Sequence, residues 1–345
     1  MTPRTKLALK LAAFALGIVV VALLPRYVSD FRAFELHRVG LFFIAVLGLN
    51  VVTGYTGQIS LGHGAFMAIG GYTTAILMTK LHLQDVVTIP LAGLAGGLAG
   101  LAFGLPALRL SGLYLALATF GIAISTPSVI RRAEGLTGGT TGLNLFAIPE
   151  QTGLGIEVRL LGRTLTFNDW LYYLTWGIAV VLFALAWALL ASRFGRAFRA
   201  TRDSEVAAAS SGVNLAATKT LAFGVSAFYA GVAGSLLAIG TAFVDPNTFP
   251  IALSITLLVG AAVGGLGSLV GPVVGALFVV YMPILAERFG SEVGGGLPAW
   301  AQRTVESPAV VYAVVLIVLM LVLPSGAGGL LGRASLPRGR RADTV

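Results

Sequence analysis

Gln58, Ser60 and His63 sit among five glycines between Gly57 and Tyr72, in GQISLGHGAFMAIGGY, inside a chain that is otherwise mostly apolar. These three side chains can exchange hydrogen bonds with a passing solute, and His63 can also carry a proton. The glycines weaken a helix and let backbones approach closely. At membrane depth such polar groups need partners or water, and irregular backbone survives only against protein or a cavity. A solute path is therefore expected here. Asn50, Tyr55, Gly64, Phe66, Tyr72 and the distant Ser254 join Gln58, Ser60 and His63 as its candidate residues. The plainer reading assigns them to interhelical hydrogen bonds, about 1 kcal/mol each, with His63 bonded to a neighbouring carbonyl.

Other chemistries find little support. A phosphate-binding Walker loop needs glycine directly before its lysine, but Lys6, Lys10, Lys80 and Lys219 follow Thr5, Leu9, Thr79 and Thr218. His37, His63 and His82 have no ligand-like spacing to acids, and cysteine is absent. No metal, cofactor or catalytic constellation is expected of this chain.

The elements that must position these residues follow from composition. Hydrophobic residues make up 57% of the chain and charged ones 11%, against about 25% charged in soluble domains. An all-α, polytopic transmembrane bundle is expected. Apolar runs of bilayer length fall near 7–25, 39–53, 61–79, 86–106, 110–129, 170–191, 219–241, 251–266, 268–286 and 308–324, giving about ten spans. The first reads as an uncleaved span, and GGLGS at 264–268 as either a tight turn between two spans or a break in one.

With the N-terminus inside, 13 of the 23 Lys and Arg and 3 of the 14 acids lie inside, which is net +10 against −1 outside. Positive-inside sorting thus places both termini in the cytoplasm. It also accounts for the +9 net charge better than nucleic acid does, since the basic residues form no aromatic-laced face. Residues 1–345 read as a single transmembrane domain. It carries an external loop at 130–169 with β-like runs, a cytoplasmic segment at 192–218 and a basic tail at 325–345.

The cytoplasmic segment is rich in alanine and charge. Arg196–Ser211 reads as one helix, with Gly195 before it and Gly212 as its stop. Arg199, Arg202, Asp203 and Glu205 offer a charged face, and Val206, Ala207, Ala208 and Ala209 a small, flat one. Such a helix fits a shallow groove on a partner, or rests on anionic headgroups.

GRAFRATRDSEVAAASSGVNLAATKTLAFGVSAFYAGVAGSLLA resembles the EAA…G loop and following helix of ABC-importer permeases, in the version found in the LivM-type permeases of branched-chain amino acid importers. GYTGQISLGHGAFMAIGGY, LTGGTTGL at 136–143 and VDPNTFPIALSITLLVGAAVGGLGSLVGPVVGAL are similar to three further segments of that family, in the family's order. Ser204 stands where Asn is common, Thr141 where Asp is usual, and Ala208–Ala209–Ser210 replaces a more usual AA-E run. The resemblance implies an ABC-importer permease architecture in the cytoplasmic (inner) membrane of a bacterium-like cell. It implies that Gly195, Arg196, Arg199, Arg202, Asp203, Glu205, Ala207, Ala208 and Gly212 couple to an ATPase. The implied partners are a second, LivH-like permease, two cytoplasmic ATPase subunits that use the ATP, and an external solute-binding protein. The implied solutes are leucine, isoleucine and valine, with urea or small amides as the alternative. A self-sufficient secondary carrier, the rival from another class, would need coupling-ion ligands within its spans, where acids are scarce.

Overall fold

The computed structural model describes residues 21, 24–107, 110, 112–146, 159–160, 163–294, 308–322 and 326. Helix α1 (Asp30–Leu49) runs directly into a π-turn at Asn50–Tyr55. Then come α2 (His63–Leu81), α3 (Asp85–Ala107), α4 (Leu113–Arg132) and the single turn α5 (Glu134–Thr137). The strands β1 (Leu143–Asn144), β2 (Arg159–Leu160) and β3 (Arg163–Thr164) lead to α6 (Phe167–Ala191). Helices α7 (Arg193–Asp203) and α8 (Glu205–Ser210) precede the long α9 (Leu215–Thr241). Strand β4 (Phe243–Val244) and helices α10 (Ile251–Gly264), α11 (Gly271–Gly294) and α12 (Pro308–Val322) complete the described chain.

Six of these helices, α1 with its π-turn, α3, α4, α6, α9 and α11, are long and apolar enough to cross a membrane. Ten such spans are not reached among the described residues. Helix α2 has the length but carries His63, Tyr72, three threonines and Lys80. Helix α10 has only 14 residues, α12 is described over Pro308–Val322 alone, and the expected span at 7–25 lies almost wholly outside the described residues. The GGLGS segment is a tight turn, with Gly265 and Gly267 at φ +101° and +80°. It folds α11 back along α10, so that Gly264 faces Gly271 and Gly260 faces Gly275.

Helices α1 and α9 form the interior, with 89% and 83% of their apolar windows buried. Helix α9 packs on α3, α2 and α1, and small residues permit the approach. A Cβ on Gly96 of α3 would stand 2.6 Å from the Ala227 carbonyl of α9 and 3.0 Å from the Gly231 Cα. This is the small-residue packing by which helices associate in lipid. Helix α6 starts from a capping box at Thr166 and Asp169, a pairing that satisfies two otherwise orphan donors. Thr166 and Asn168 also donate to the Asp30 carboxylate, each at 2.5 Å, which fastens α6 to the start of α1.

Within 130–169, β2 pairs antiparallel with β3, Arg159 opposite Thr164. Strand β1 pairs with β4, Leu143 opposite Val244. That second pairing ties the loop to the segment between α9 and α10.

Candidate functional site

The segment at 192–218 is not one helix. Ser192 caps α7, its hydroxyl accepting the Phe194 N–H at 3.2 Å. The helix then ends at Asp203, because Ser204 is extended (φ −163°, ψ 117°) and its hydroxyl accepts the Ala207 N–H at 3.2 Å. A serine followed by an acid favours a fresh helix start, and here it overrides the alanine-rich propensity that predicts a continuous helix. Gly195 accordingly lies inside α7, pressed on the Leu190 backbone, and does not precede the helix. Gly212 (φ +83°) closes α8; its N–H and that of Val213 return to the Ala209 and Ala208 carbonyls.

Phe198 and Thr201 bury the inner face of α7, as does Ala208 for α8. Arg196, Asp203, Ala207 and Ala209 remain exposed, and Val206 is 79% exposed. Three charged side chains turn back onto the chain itself. Glu205 pairs with the nearly buried Lys219 at 2.7 Å. Arg199 donates to the Leu190 carbonyl at 3.2 Å, and Arg202 donates to the Gly54 carbonyl.

The Arg202 contact joins two regions. Gly54 belongs to the π-turn at the end of α1, where helix carbonyls lack intrahelical donors, and the guanidinium supplies one. Room for it comes from Gly267, where a Cβ would sit 2.6 Å from Nη1, and from Gly57, where a Cβ would sit 3.3 Å from Cγ. Asn50 of the same π-turn accepts the Gly267 N–H at 2.8 Å and donates to the Ser268 carbonyl at 2.6 Å. The π-turn, α7 and the α10–α11 turn thus meet at Gly54, Arg202 and Gly267.

The remaining path candidates divide. Tyr55, Gln58 and Ser60 are buried between this junction and α2 in the chain. The Gln58 Nε2 has no hydrogen-bond partner. His63 is buried with Nδ1 3.5 Å from the Ser226 hydroxyl of α9. The Gly64 N–H donates to Ser254 of α10 at 2.9 Å, and Phe66 packs edge-on to Phe103 of α3.

Tyr72 alone of the nine candidates lines a cavity of about 600 Å³ between α2, α4 and α5. The cavity also meets Ile69, Thr73, Phe103, Ala118, Gly121, Ile122, Ser125, Thr126 and Thr137. Most of these escape a reading of the 57–72 stretch. The signal that could have found them is the helical spacing of Ala118, Gly121, Ile122, Ser125 and Thr126, which sets small and hydroxylated residues on one face of an apolar helix.

The family model for the permease component of branched-chain amino acid transport systems matches residues 33–323, which include every contact of this site. The chain belongs to this family. Within this permease family it is similar to the high-affinity branched-chain amino acid transport system permease protein LivM of Salmonella typhimurium and of Escherichia coli. Each is 32% identical over 293 residues, covering 80% of this chain and 68% of the relative. It is also similar to the corresponding LivH protein of Escherichia coli, 25% identical over 307 residues, covering 86% of this chain and 92% of the relative. No solved structure matches the chain.

Proposed function

We propose that this chain is the permease subunit of a binding-protein-dependent, ATP-driven importer that carries leucine, isoleucine and valine across the cytoplasmic membrane. The observation that carries the mechanism is the Arg202–Gly54 contact. It links a segment that exposes Val206, Ala207 and Ala209 to the π-turn and to the α10–α11 turn. A partner ATPase that grips this small-residue face displaces α8 and α7, and Arg202 passes the displacement to the inner end of α1. Gly195, Arg196, Arg199, Asp203, Glu205, Ala208 and Gly212 shape or support that face. The path then opens alternately to the two sides of the membrane.

In this reading both termini are cytoplasmic and the spans number about ten. A second, LivH-like permease completes the path, two ATPases supply the ATP chemistry, and an external binding protein delivers the solute. The support for pairing is that the chain is similar to both LivM and LivH proteins.

The test is reconstitution. The chain co-assembled with a LivH-like permease, the ATPases and the binding protein should accumulate leucine, isoleucine and valine only when ATP is supplied. The chain alone in liposomes should accumulate none of them under a proton or sodium gradient. Accumulation by the chain alone establishes a secondary carrier instead, and uptake of urea without leucine transfers the proposal to amides.

A further inference from the structure

Helix α2 has no side-chain cap of its own. Its N-cap residue is Gly62, which offers no acceptor to the first backbone N–H groups, and these have no intrahelical partner. The Gly64 N–H instead donates to the Ser254 hydroxyl at 2.9 Å, in the first turn of α10 and 190 positions away. Ser254 is fully buried. Gly64 leaves room for it, since a Cβ there would stand 2.7 Å from the hydroxyl. The point where the polar stretch at 57–72 becomes helix is thus held by α10.

The opposite end of α10 is held too. Its turn into α11 is gripped by Asn50, which accepts the Gly267 N–H at 2.8 Å and donates to the Ser268 carbonyl at 2.6 Å. Asn50 is 1% exposed, so releasing the turn would leave a buried carboxamide unpaired, which is unfavourable. Gly54 makes the grip possible: a Cβ there would overlap the Asn50 Oδ1 and crowd the Gly267 nitrogen. The same Gly54 gives its carbonyl to Arg202. From Ser254 to Gly264 α10 is unbroken helix, about 15 Å long at 1.5 Å per residue.

Two connections therefore run from the π-turn to the start of α2. The covalent one, residues 56–62, forms neither helix nor strand, with Gly57 at φ +73° and Ile59 exposed. The other is a helix fastened at both ends. Rigid elements carry coupling between distant sites, and α10 is the rigid one of the two.

We propose that Asn50 and Ser254 are positioning residues of the translocation path, which make α10 a strut between the inner end of α1 and the start of α2. The proposal rests on the importer reading above and extends its route. Displacement that reaches Gly54 through Arg202 crosses to the α10–α11 turn at Asn50, runs along α10 and moves α2 at Gly64. Ser254 acts through the α2 backbone and sets where the polar stretch begins.

The experiment measures leucine uptake per ATP hydrolysed by the reconstituted complex, normalised to assembled complex. Asn50→Leu, which roughly keeps the volume and loses both hydrogen bonds, should lower this ratio several-fold, and so should Ser254→Ala. The double variant decides. Distant sites with no shared partner act additively in free energy, so two independent losses would multiply. Two ends of one strut fail together, and the double variant should be no lower than the lower single. Thermal stability of the same proteins should still fall additively, which separates the route from mere support of the fold.

Unchanged uptake per ATP in either single variant, or losses that multiply in the double, overturns the proposal. If Asn50→Leu does not assemble, Gly54→Ala takes its place, because the added methyl displaces the carboxamide without removing it. Failure of both to assemble, or of Ser254→Ala, assigns these contacts to folding alone and also overturns it. A wild-type complex without ATP-driven leucine uptake refutes the importer reading itself. A wild-type complex that transports, with coupling that survives these variants, refutes only this inference.

Discussion

Arg202 and Glu205 carry the strongest family motif, yet each has a partner within this chain. A hydrogen bond to a charged donor contributes about 1.5–3 kcal/mol, less at an exposed position such as Arg202. Arg202→Gln should therefore leave the fold and ATPase binding intact while uptake per ATP hydrolysed falls several-fold. Unchanged coupling in that variant would remove Arg202 from the transmission route. Glu205 needs a different test, because Glu205→Lys both opposes Lys219 and alters the exposed face. Losing the partner of a nearly buried lysine is worth about 1–3 kcal/mol, between the exposed and buried limits. The double swap Glu205→Lys with Lys219→Glu should restore thermal stability in detergent but not ATPase-coupled uptake. Recovery of uptake together with stability would reduce Glu205 to a structural role. The identity of these residues was legible in the motif. Their inward contacts were not, because Gly54 lies 148 positions from Arg202 and leaves no trace in local spacing.

Among the elements, apolar runs located the longer apolar helices but not α5, α7 or α8, and the breaks between helices were misjudged. The sequence reads 196–211 as continuous because alanine dominates it; the Ser204 cap that restarts the helix overrides that propensity. The shortness of α10 was hidden by the apolar run that crosses Gly264. Glycines show the limit most sharply. Gly64 reads as path-lining, yet it stands against a neighbouring helix at nearly the same distance as Gly96 does. Gly121, which faces open space, looks no different in sequence. Gly64→Leu and Gly96→Leu should each destabilise the bundle by roughly 1–3 kcal/mol, the usual range for overpacking, and lower the yield of folded protein similarly. Gly177→Leu should be neutral by the same assay. Normal folding of Gly96→Leu would contradict the close α3–α9 contact.

At the scale of the whole molecule, the buried helices α1 and α9 carry the fold, while α4 and α6 bury only 28% of their apolar windows. Leu113, Tyr114, Leu117 and Ile124 leave an apolar flank on α4, suited to lipid or to a second permease. Composition made the membrane class legible from the first count of charges. The arrangement of helices was not, since hydropathy reports that a segment is apolar and says nothing about which face meets which neighbour.

The 14 residues of α10 also constrain how this chain is made. At 1.5 Å per residue the helix is about 21 Å long, against a hydrocarbon core of about 30 Å. An insertion machine releasing segments one at a time into lipid cannot leave α10 there alone, because its first backbone N–H groups need protein cover. It should enter with α11 as a hairpin, against α2, where the Gly64 N–H then donates to Ser254. Biogenesis of this region is therefore ordered. Chains truncated after residue 266 should leave 251–264 open to water, and chains truncated after residue 294 should shield it. The protein has no cysteine of its own, so one thiol placed at Leu257 and probed with an impermeant maleimide reads the difference directly. Equal labelling of the two truncations would mean that α10 inserts unaided.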